Sequence, residues 1–104
     1  MSEITDTLAK LKRLYGIPSA YGRFEKKQKL PFMIYFGAGE ENLPADDTIY
    51  WKDQEYQLQY YFKEKDETKE EAIEAILLED GFVYEKSSDV YIESEDIWVI
   101  YYDV

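Results

Sequence analysis

Carboxylates are the side chains of this sequence whose type and spacing could support acid–base chemistry. The 104-residue chain contains 23 acidic residues, and several of them are adjacent. The adjacent groups are Glu40/Glu41, Asp46/Asp47, Glu70/Glu71 and Glu93/Glu95/Asp96. Two carboxylates held about 5 Å or about 6.5–9.5 Å apart can cleave a glycosidic bond. A chain this rich in acids supplies such pairs by chance, and nothing indicates a sugar cleft, so we interpret them as solvated loop residues.

Two further patterns could indicate a bound ion or cofactor. Asp46, Asp47 and nearby carbonyl oxygens could bind a hard cation, but no EF-hand spacing is present. Gly37-Ala38-Gly39 could be taken for half of a dinucleotide-binding motif, but the third glycine is missing, and Glu40 and Glu41 would repel a pyrophosphate. We therefore predict no cofactor and no metal ion.

The sequence contains no cysteine and no histidine. Disulfides, thiolate nucleophiles, Cys/His zinc sites, histidine bases and haem ligation are therefore excluded. The serines have no histidine partner, and no G-x-S-x-G turn is present. We predict that the protein is not an enzyme and that it has no catalytic, cofactor-binding or metal-binding residues.

Charge is divided unevenly along the chain. Up to Pro31, seven lysines and arginines face three acids, a net charge of +4; after it, five lysines face twenty acids, a net charge of −15. The total of −11 disfavours a phosphate backbone or an anionic lipid surface as a partner. The division favours contact between one end of a molecule and the opposite end of another, against the alternative of chance placement on solvated faces. The residues predicted to take part in self-association are Lys26, Lys27, Lys29, Glu40, Glu41, Asp46, Asp47, Glu93, Glu95 and Asp96.

The composition predicts one folded domain, residues 1–104. Hydrophobic residues make up 45% and aromatic residues 17%, too much for a disordered chain and enough for a modest core. Eleven tyrosines exceed the needs of such a core, which favours protein–protein contact. No apolar run is long enough to span a membrane, and residues 1–14 lack the pattern of a secretory signal, so a protein of the cytoplasm, or of a particle assembled there, is expected.

Two helices are predicted from the spacing of apolar residues. The first covers residues 2–15, with Ser2 as N-cap, Gly16 as the stop, and one apolar face formed by Ile4, Leu8, Leu11 and Tyr15. The second opens at a capping box, Thr68-Lys69-Glu70-Glu71, and ends at Gly81. Its apolar stripe consists of Ala72, Ile73, Ile76 and Leu77.

The remaining hydrophobic segments predict strands. They cover residues 30–36, 48–51, 55–63, 82–86, 90–93 and 97–103, with an ambiguous short strand within 19–25 and a loop over 37–45. Alternation within 55–63 indicates one buried side. The segment 97–103 is apolar at nearly every position, so it is expected either to be central or to have one face in contact with another subunit. Because the strands occur in runs, the predicted fold class is α+β, a mainly antiparallel sheet with two helices in the order helix, strands, helix, strands.

Several short motifs occur in a recognisable order. They are Leu30-Pro31-Phe32-Met33-Ile34-Tyr35, Ala45-Asp46-Asp47 with Tyr50, Tyr56-Gln57-Leu58-Gln59-Tyr60-Tyr61, Lys65-Asp66 leading into Glu70-Glu71, Tyr84-Glu85-Lys86, Tyr91-Ile92-Glu93-Ser94-Glu95 and Tyr101-Tyr102. The resemblance that they carry extends over nearly the whole chain. In this order they resemble small structural proteins of tailed phages and prophages of Gram-positive bacteria, of the tail-terminator, tail-completion and head–tail joining type.

The resemblance implies an α+β subunit that assembles into a six-fold ring at the neck or at the end of the tail tube. Its partners would be copies of itself and other phage tail or neck proteins, in the virion and, during assembly, in the host bacterial cytoplasm. DNA would pass through the ring without being specifically bound, and an acidic lumen would suit this because like charges prevent phosphate contacts. The resemblance implies no catalytic residues, and it makes residues 37–47 a candidate interface.

Two functions of other classes stay open at this point. A small acidic inhibitor could mimic the charge of DNA and bind a basic host protein as a monomer or dimer. A carboxylate-based hydrolase is the weaker alternative, since it requires one of the acid pairs to lie in a cleft.

Overall fold

The computed structural model of the protein describes residues 4–37 and 56–104. Within these ranges the chain forms two helices and six strands, which confirms the predicted α+β class. In chain order they are α1 (Ile4–Tyr15), β1 (Ser19–Tyr21), β2 (Phe32–Gly37), β3 (Tyr56–Phe62), α2 (Glu67–Glu79), β4 (Glu85–Lys86), β5 (Val90–Ile92) and β6 (Ile97–Asp103). The predicted strand at 48–51, most of the predicted loop at 37–45 and the predicted cap Ser2 lie outside the described residues.

The strands form one sheet in the order β1-β2-β3-β6-β4, and β5 also pairs with β6. All pairs are antiparallel except β1 and β2, which are parallel. A parallel pair needs a crossover connection, because both strands start from the same end of the sheet, and residues 22–31 supply it here. Strand β6 has neighbours on both sides, which confirms its predicted central position.

Strands β4 and β5 lie along the same side of β6 and are separated by residues 87–89. Strand β4 is shorter than the predicted strand at 82–86. Ser87 bridges the interruption, because its backbone N–H donates to the Tyr101 carbonyl at 2.9 Å and its Oγ accepts from the Tyr101 N–H at 2.9 Å. The hydroxyl thus replaces a strand carbonyl, and this edge stays attached to β6 although its backbone pairing is broken.

Both helices pack against one face of the sheet, which we call the helix face. The core there contains Ile4, Leu8, Leu11, Ile17, Met33, Leu58, Tyr60, Phe62, Ile73, Ile76, Leu77, Ile100 and Tyr102. The alternation predicted for β3 is confirmed, since Leu58, Tyr60 and Phe62 are buried while Gln57, Gln59 and Tyr61 point to the other face. The predicted apolar stripe of α2 is also buried.

The end of α1 differs from the prediction at one position. Tyr15 was expected on the buried face, but it is 43% exposed. Gly16 adopts a left-handed conformation with φ of 70°, and the turn brings Ile17 into the core instead, where it is completely buried. Ile17, the residue after the turn, therefore occupies the buried position that was predicted for Tyr15.

The start of α2 corrects the predicted capping box. Asp66, not Thr68, is the N-cap, and its carboxylate accepts hydrogen bonds from the backbone N–H groups of Thr68 (3.1 Å) and Lys69 (3.3 Å). A carboxylate at this position also interacts favourably with the positive end of the helix dipole, so Asp66 is the stronger cap. Helix α2 accordingly begins at Glu67.

A buried carboxylate connects the two helices. Asp80, the C-cap of α2, accepts hydrogen bonds from Lys10 Nζ (2.5 Å) and from Thr7 Oγ1 (2.6 Å), both on α1. These hydrogen bonds hold the pKa of the Asp80 carboxyl below its usual value. A carboxylate at a helix C-terminus is unfavourable by itself, because that end of the helix dipole is negative. The hydrogen bonds from Lys10 and Thr7 outweigh this repulsion, so Asp80 stabilises the packing of the two helices.

We expect Asp80→Asn to lower the free energy of unfolding by about 1–3 kcal/mol at pH 7, the usual range for a hydrogen-bonded charge. Because the folded-state pKa of Asp80 lies below the unfolded value, this contribution is present at neutral pH and is lost as the pH falls through the folded-state pKa. Urea unfolding at several pH values measures it: the difference from the unmodified protein should shrink between about pH 5 and about pH 2. Glu79→Gln, at the exposed neighbouring acid, is the control, and an equal loss in both variants would contradict the role of Asp80.

Candidate interaction groove

The sheet face opposite the helices, which we call the second face, is aromatic and apolar at one side. Strand β2 directs Phe32, Ile34 and Phe36 to this face, because Met33 and Tyr35 occupy the helix side. Ile34 is only 6% exposed, while Phe32 and Phe36 are half-buried. Strand β2 is therefore apolar on both faces, as its sequence suggests, and the second face needs a cover that the helices do not give.

Strand β3 carries a chain of polar hydrogen bonds along the middle of the second face. The Tyr61 hydroxyl donates to Gln59 Oε1 (2.8 Å), Gln59 Nε2 donates to Gln57 Oε1 (3.0 Å), and Gln57 Nε2 donates to Asp103 Oδ1 (3.3 Å). Burial raises the pKa of the Tyr61 hydroxyl, and the nearby Tyr101 raises it further. The polar side chains of β3 are therefore hydrogen-bonded to one another. Because of this, the second face can be half-buried without a water molecule bound to each side-chain amide.

The crossover segment, residues 22–31, lies over part of the second face. The Phe24 ring packs edge-on against Phe32, with ring centroids 5.2 Å apart, and Phe32 lies 5.2 Å from the Tyr61 ring. Between the segment and the sheet there is an open groove of about 710 Å³. We call it the second-face groove; its floor is formed by Phe32, Ile34, Phe36, Gln59, Tyr61 and Ile97.

Cations border this groove. Lys26, Lys27 and Lys29, three of the predicted self-association residues, line it together with Arg23, and all four side chains are exposed. Glu95, another predicted residue, lines the groove as well, next to Ile97. The structure therefore brings these lysines and Glu95 to one site. Four cations and one acid give the groove a local charge opposite to that of the whole chain.

Strand register shows that the groove runs along β2, with a floor from Phe32 to Phe36, while the crossover segment starts beside Tyr35 and ends at Phe32. Phe32, the first residue of β2, pairs with Tyr61 near the end of β3, and Tyr61 pairs with Val99 near the start of β6. We call this the lysine end, since Lys29 precedes Phe32 by only three residues. At the opposite end Gly37 pairs with Tyr56, and these two residues flank the undescribed segment 38–55.

The other predicted self-association acids have varied positions. Glu93 and Glu95 are exposed in the turn between β5 and β6, which is also at the lysine end. Asp96 in the same turn is already engaged within the subunit, by Lys63 Nζ at 2.5 Å and by the Tyr91 hydroxyl at 2.7 Å. The hydrogen bond from Lys63 has the largest effect in lowering the pKa of Asp96, and the hydrogen bond from Tyr91 lowers it further. Glu40, Glu41, Asp46 and Asp47 lie outside the described residues.

Sequence analysis missed a charge cluster between α2 and the β4/β6 edge. Glu70 is only 2% exposed. Its Oε1 accepts hydrogen bonds from Lys65 Nζ at 3.0 Å and from Lys86 Nζ at 3.1 Å. Its Oε2 lies 2.8 Å from Lys65 Nζ but receives no well-aligned hydrogen bond. Glu74 accepts from the Tyr102 hydroxyl (2.8 Å) and lies 2.7 Å from Lys86. Burial raises the pKa of Glu74, but the hydrogen bonds from Lys86 and Tyr102 outweigh burial and lower it overall.

This cluster is structural, because its buried carboxylates are neutralised by lysines within the subunit. The pair Glu70/Glu71, interpreted from the sequence as solvated, is divided: Glu70 is buried and Glu71 is exposed. A sequence signal existed, since Glu70, Ile73 and Leu77 share helical spacing. The described ranges contain no group of three acids, histidines or cysteines arranged for a metal ion. Neither helix has the length and apolar content needed to cross a bilayer.

Comparison of the chain with protein-family models, with curated proteins and with solved structures yields no match.

We expect Phe24→Ala to lower the free energy of unfolding by about 1–2 kcal/mol, because it removes the aromatic contact that holds the crossover segment on Phe32. Phe24→Leu keeps most of the apolar area and should cost less. Val83→Ala is the matched control, since Val83 is 82% exposed and its truncation should change stability little. Urea unfolding measures all three, and a Phe24→Ala variant as stable as the control would contradict packing of the segment on the sheet.

Proposed function

We propose that the protein is a structural subunit that self-associates head to tail, as a virion protein of a tailed phage or prophage. It would form a ring at the end of the tail tube or at the head–tail junction and would terminate or join the tail. The single observation that carries this proposal is the separation of charge: four cations of residues 23–29 border the second-face groove, whereas the chain after Pro31 carries a net charge of −15.

Separation of this kind favours a heterologous contact, in which one surface meets a different surface of the next copy. Heterologous contacts close into rings when the rotation between copies permits closure. Opposite charges would mainly steer copies toward each other and fix their orientation, while the aromatic floor of the groove would supply burial. The resemblance to tail-terminator and head–tail joining proteins adds the ring architecture and the phage setting.

The use of carboxylates within the described residues supports a structural role. The two most deeply buried acids, Glu70 and Asp80, are neutralised by lysines and maintain the positions of α1 and α2. Neither lies in the second-face groove. A net charge of −11 also suits a ring through which DNA passes, because repulsion between like charges limits adhesion.

The exposed surface of α2 favours a second candidate function, a DNA-mimicking inhibitor of a basic host protein. Glu67, Glu71 and Glu79 are exposed on this helix, and Glu67 and Glu71 are one turn apart. Such an inhibitor would act as a monomer or dimer and would displace DNA from its target. The number of chains in the assembled species therefore distinguishes the inhibitor from the ring subunit.

We expect sedimentation velocity at about 20 mM salt to reveal species several times heavier than the 12.4 kDa chain at high protein concentration, because the Debye length is then long enough for the charged ends to attract. The average mass should fall at about 500 mM salt, and negative-stain images at low salt should contain rings. A chain that stays monomeric at every concentration and salt, and that releases duplex DNA from a purified bacterial nucleoid protein, would replace the ring proposal with the inhibitor.

A further inference from the structure

We propose that residues 85–89 form a strap along the side of β6 that faces away from β3, that this strap opens while the rest of the fold stays intact, and that the charge of Lys86 holds it closed. The strap consists of β4 and the three residues that follow it, Ser87, Ser88 and Asp89. The contacts that carry this proposal lie between residues 65 and 103, so it stands apart from the proposed ring.

The strap is attached by polar contacts rather than by buried side chains. None of its five residues is buried, and only Ser87 is half-buried. The chain on either side of it has aromatic contacts instead: the Tyr84 ring packs edge-on against Tyr102 with centroids 5.7 Å apart, and the Tyr91 ring lies 4.9 Å from that of Trp98. A segment that buries little apolar surface between two anchored points is the part of an edge that opens at the lowest free energy.

Backbone pairing holds the strap weakly. Strand β4 has only two residues, and the first of them, Glu85, lies directly opposite Asp103. Both are exposed acids, and like charges opposite each other in an antiparallel pair are destabilising. After β4, only the two hydrogen bonds between Ser87 and Tyr101 continue the attachment to β6 before β5 begins. The ladder therefore contains a repulsion that other contacts must outweigh.

Two lysines supply those contacts. Lys86, in the strap, lies 2.7 Å from Glu74 Oε2 and donates to Glu70 Oε1 at 3.1 Å, so it connects β4 to α2. Asp89, at the other end of the strap, accepts from Lys65 Nζ at 3.0 Å and 3.2 Å. Hydrogen bonds between ionised groups are about twice as strong as those between neutral groups. Charge pairing is therefore the main attachment of the strap.

Lys86 contributes more to this attachment than Lys65 does. The side chains of its partners Glu70 and Glu74 are 3% and 19% exposed, whereas that of Asp89 is 33% exposed. Ion pairs that are partly buried are screened less by solvent and salt than exposed pairs. Removing the cation from a buried carboxylate also leaves a charge without compensation, which is strongly unfavourable. Closure of the strap thus depends mostly on one side chain.

Opening changes what the sheet presents to its surroundings. With the strap closed, the backbone N–H and C=O of Tyr101 are both hydrogen-bonded to Ser87. With the strap open, these groups are free, as they are at an unprotected sheet edge, where an extended chain can add by backbone hydrogen bonds. The closed strap therefore protects this end of β6, and the charge of Lys86 sets how often it is uncovered.

Native-state hydrogen exchange of the unmodified protein, at low protein concentration, tests whether the strap opens by itself. The reporters are the amides of Ser87 and Tyr101, which join the strap to β6. The reference is the amides of Leu58 and Tyr60 in β3, a strand with a paired neighbour on each side. At pH 7 we expect the protection factors of the reporters to be at least about a hundredfold lower than those of the reference. Equal protection would mean that strap and sheet open together and would overturn the proposal.

Two single substitutions in β4 should have opposite effects on the reporters. Lys86→Gln removes the cation that faces α2 and should lower their protection factors about tenfold. Glu85→Gln removes the repulsion with Asp103 and should raise them by about two- to fivefold. Lys86→Arg keeps a cation at the same position and should leave the reporters within about threefold of the unmodified protein.

The matched controls are Lys12→Gln and Asp6→Asn, which make the same two changes of net charge at exposed positions of α1. Neither should change the protection of the reporters by more than about twofold, the usual effect of a surface substitution. The controls separate the position of a charge from the total charge of this acidic chain.

Three sets of rates decide the role of Lys86. Equal effects of Lys86→Gln and Lys12→Gln on the reporters would mean that charge pairing does not hold the strap, and would overturn the proposal. A loss of protection in β3 as large as that at Ser87 would make Lys86 a support of the whole fold and would overturn it as well. A loss confined to the reporters, together with the opposite effect of Glu85→Gln, supports a strap held closed by charge.

Discussion

Coverage of the sheet is the constraint on which the rest of this structure depends. Helices α1 and α2 both lie on the same face, and their buried residues form one core with β3 and β6. Among the described residues, the crossover segment, 22–31, is the part of the chain that lies over the second face. Since β2 is apolar on both faces, part of its aromatic surface stays accessible. The groove, its cationic border and the proposed contact between copies are all consequences of this incomplete coverage.

The charged residues of the described chain fall into two groups with different roles. Asp80 with Lys10, and Glu70 and Glu74 with Lys65 and Lys86, connect helices to each other or to the sheet, and their partners are internal. The cations of residues 23–29 border the groove, and none of them forms an ion pair with an acid of residues 4–37 or 56–104. Four exposed cations therefore lie in this one connection, whereas Lys10, Lys65 and Lys86 pair with buried or half-buried acids. A chain that is strongly acidic overall can thus present one cationic site.

Local patterns in the sequence predicted most of the elements, because they depend on neighbouring residues. The period of two in β3, the apolar content of β6, the stripe of α2 and the glycine after α1 all have local causes and were confirmed. The cap of α2 was placed two residues late because Asp66 competes with Thr68 for the same role. The parallel β1–β2 pair and the pairing of Glu70 with Lys86 depend on contacts distant in sequence, which periodicity does not encode. For the same reason Lys26, Lys27 and Lys29 were identified by charge, but the aromatic floor beside them was not.

The interruption at Ser87 has a consequence for how copies of the protein can associate. A continuous exposed strand is a template on which further strands add without limit, and this is how fibrils grow. Here the edge formed by β4 and β5 is broken after two residues, and a serine hydroxyl occupies the position of a backbone acceptor. An incoming strand would find no regular row of donors and acceptors there. Amyloid-like addition of strands along this edge is therefore disfavoured.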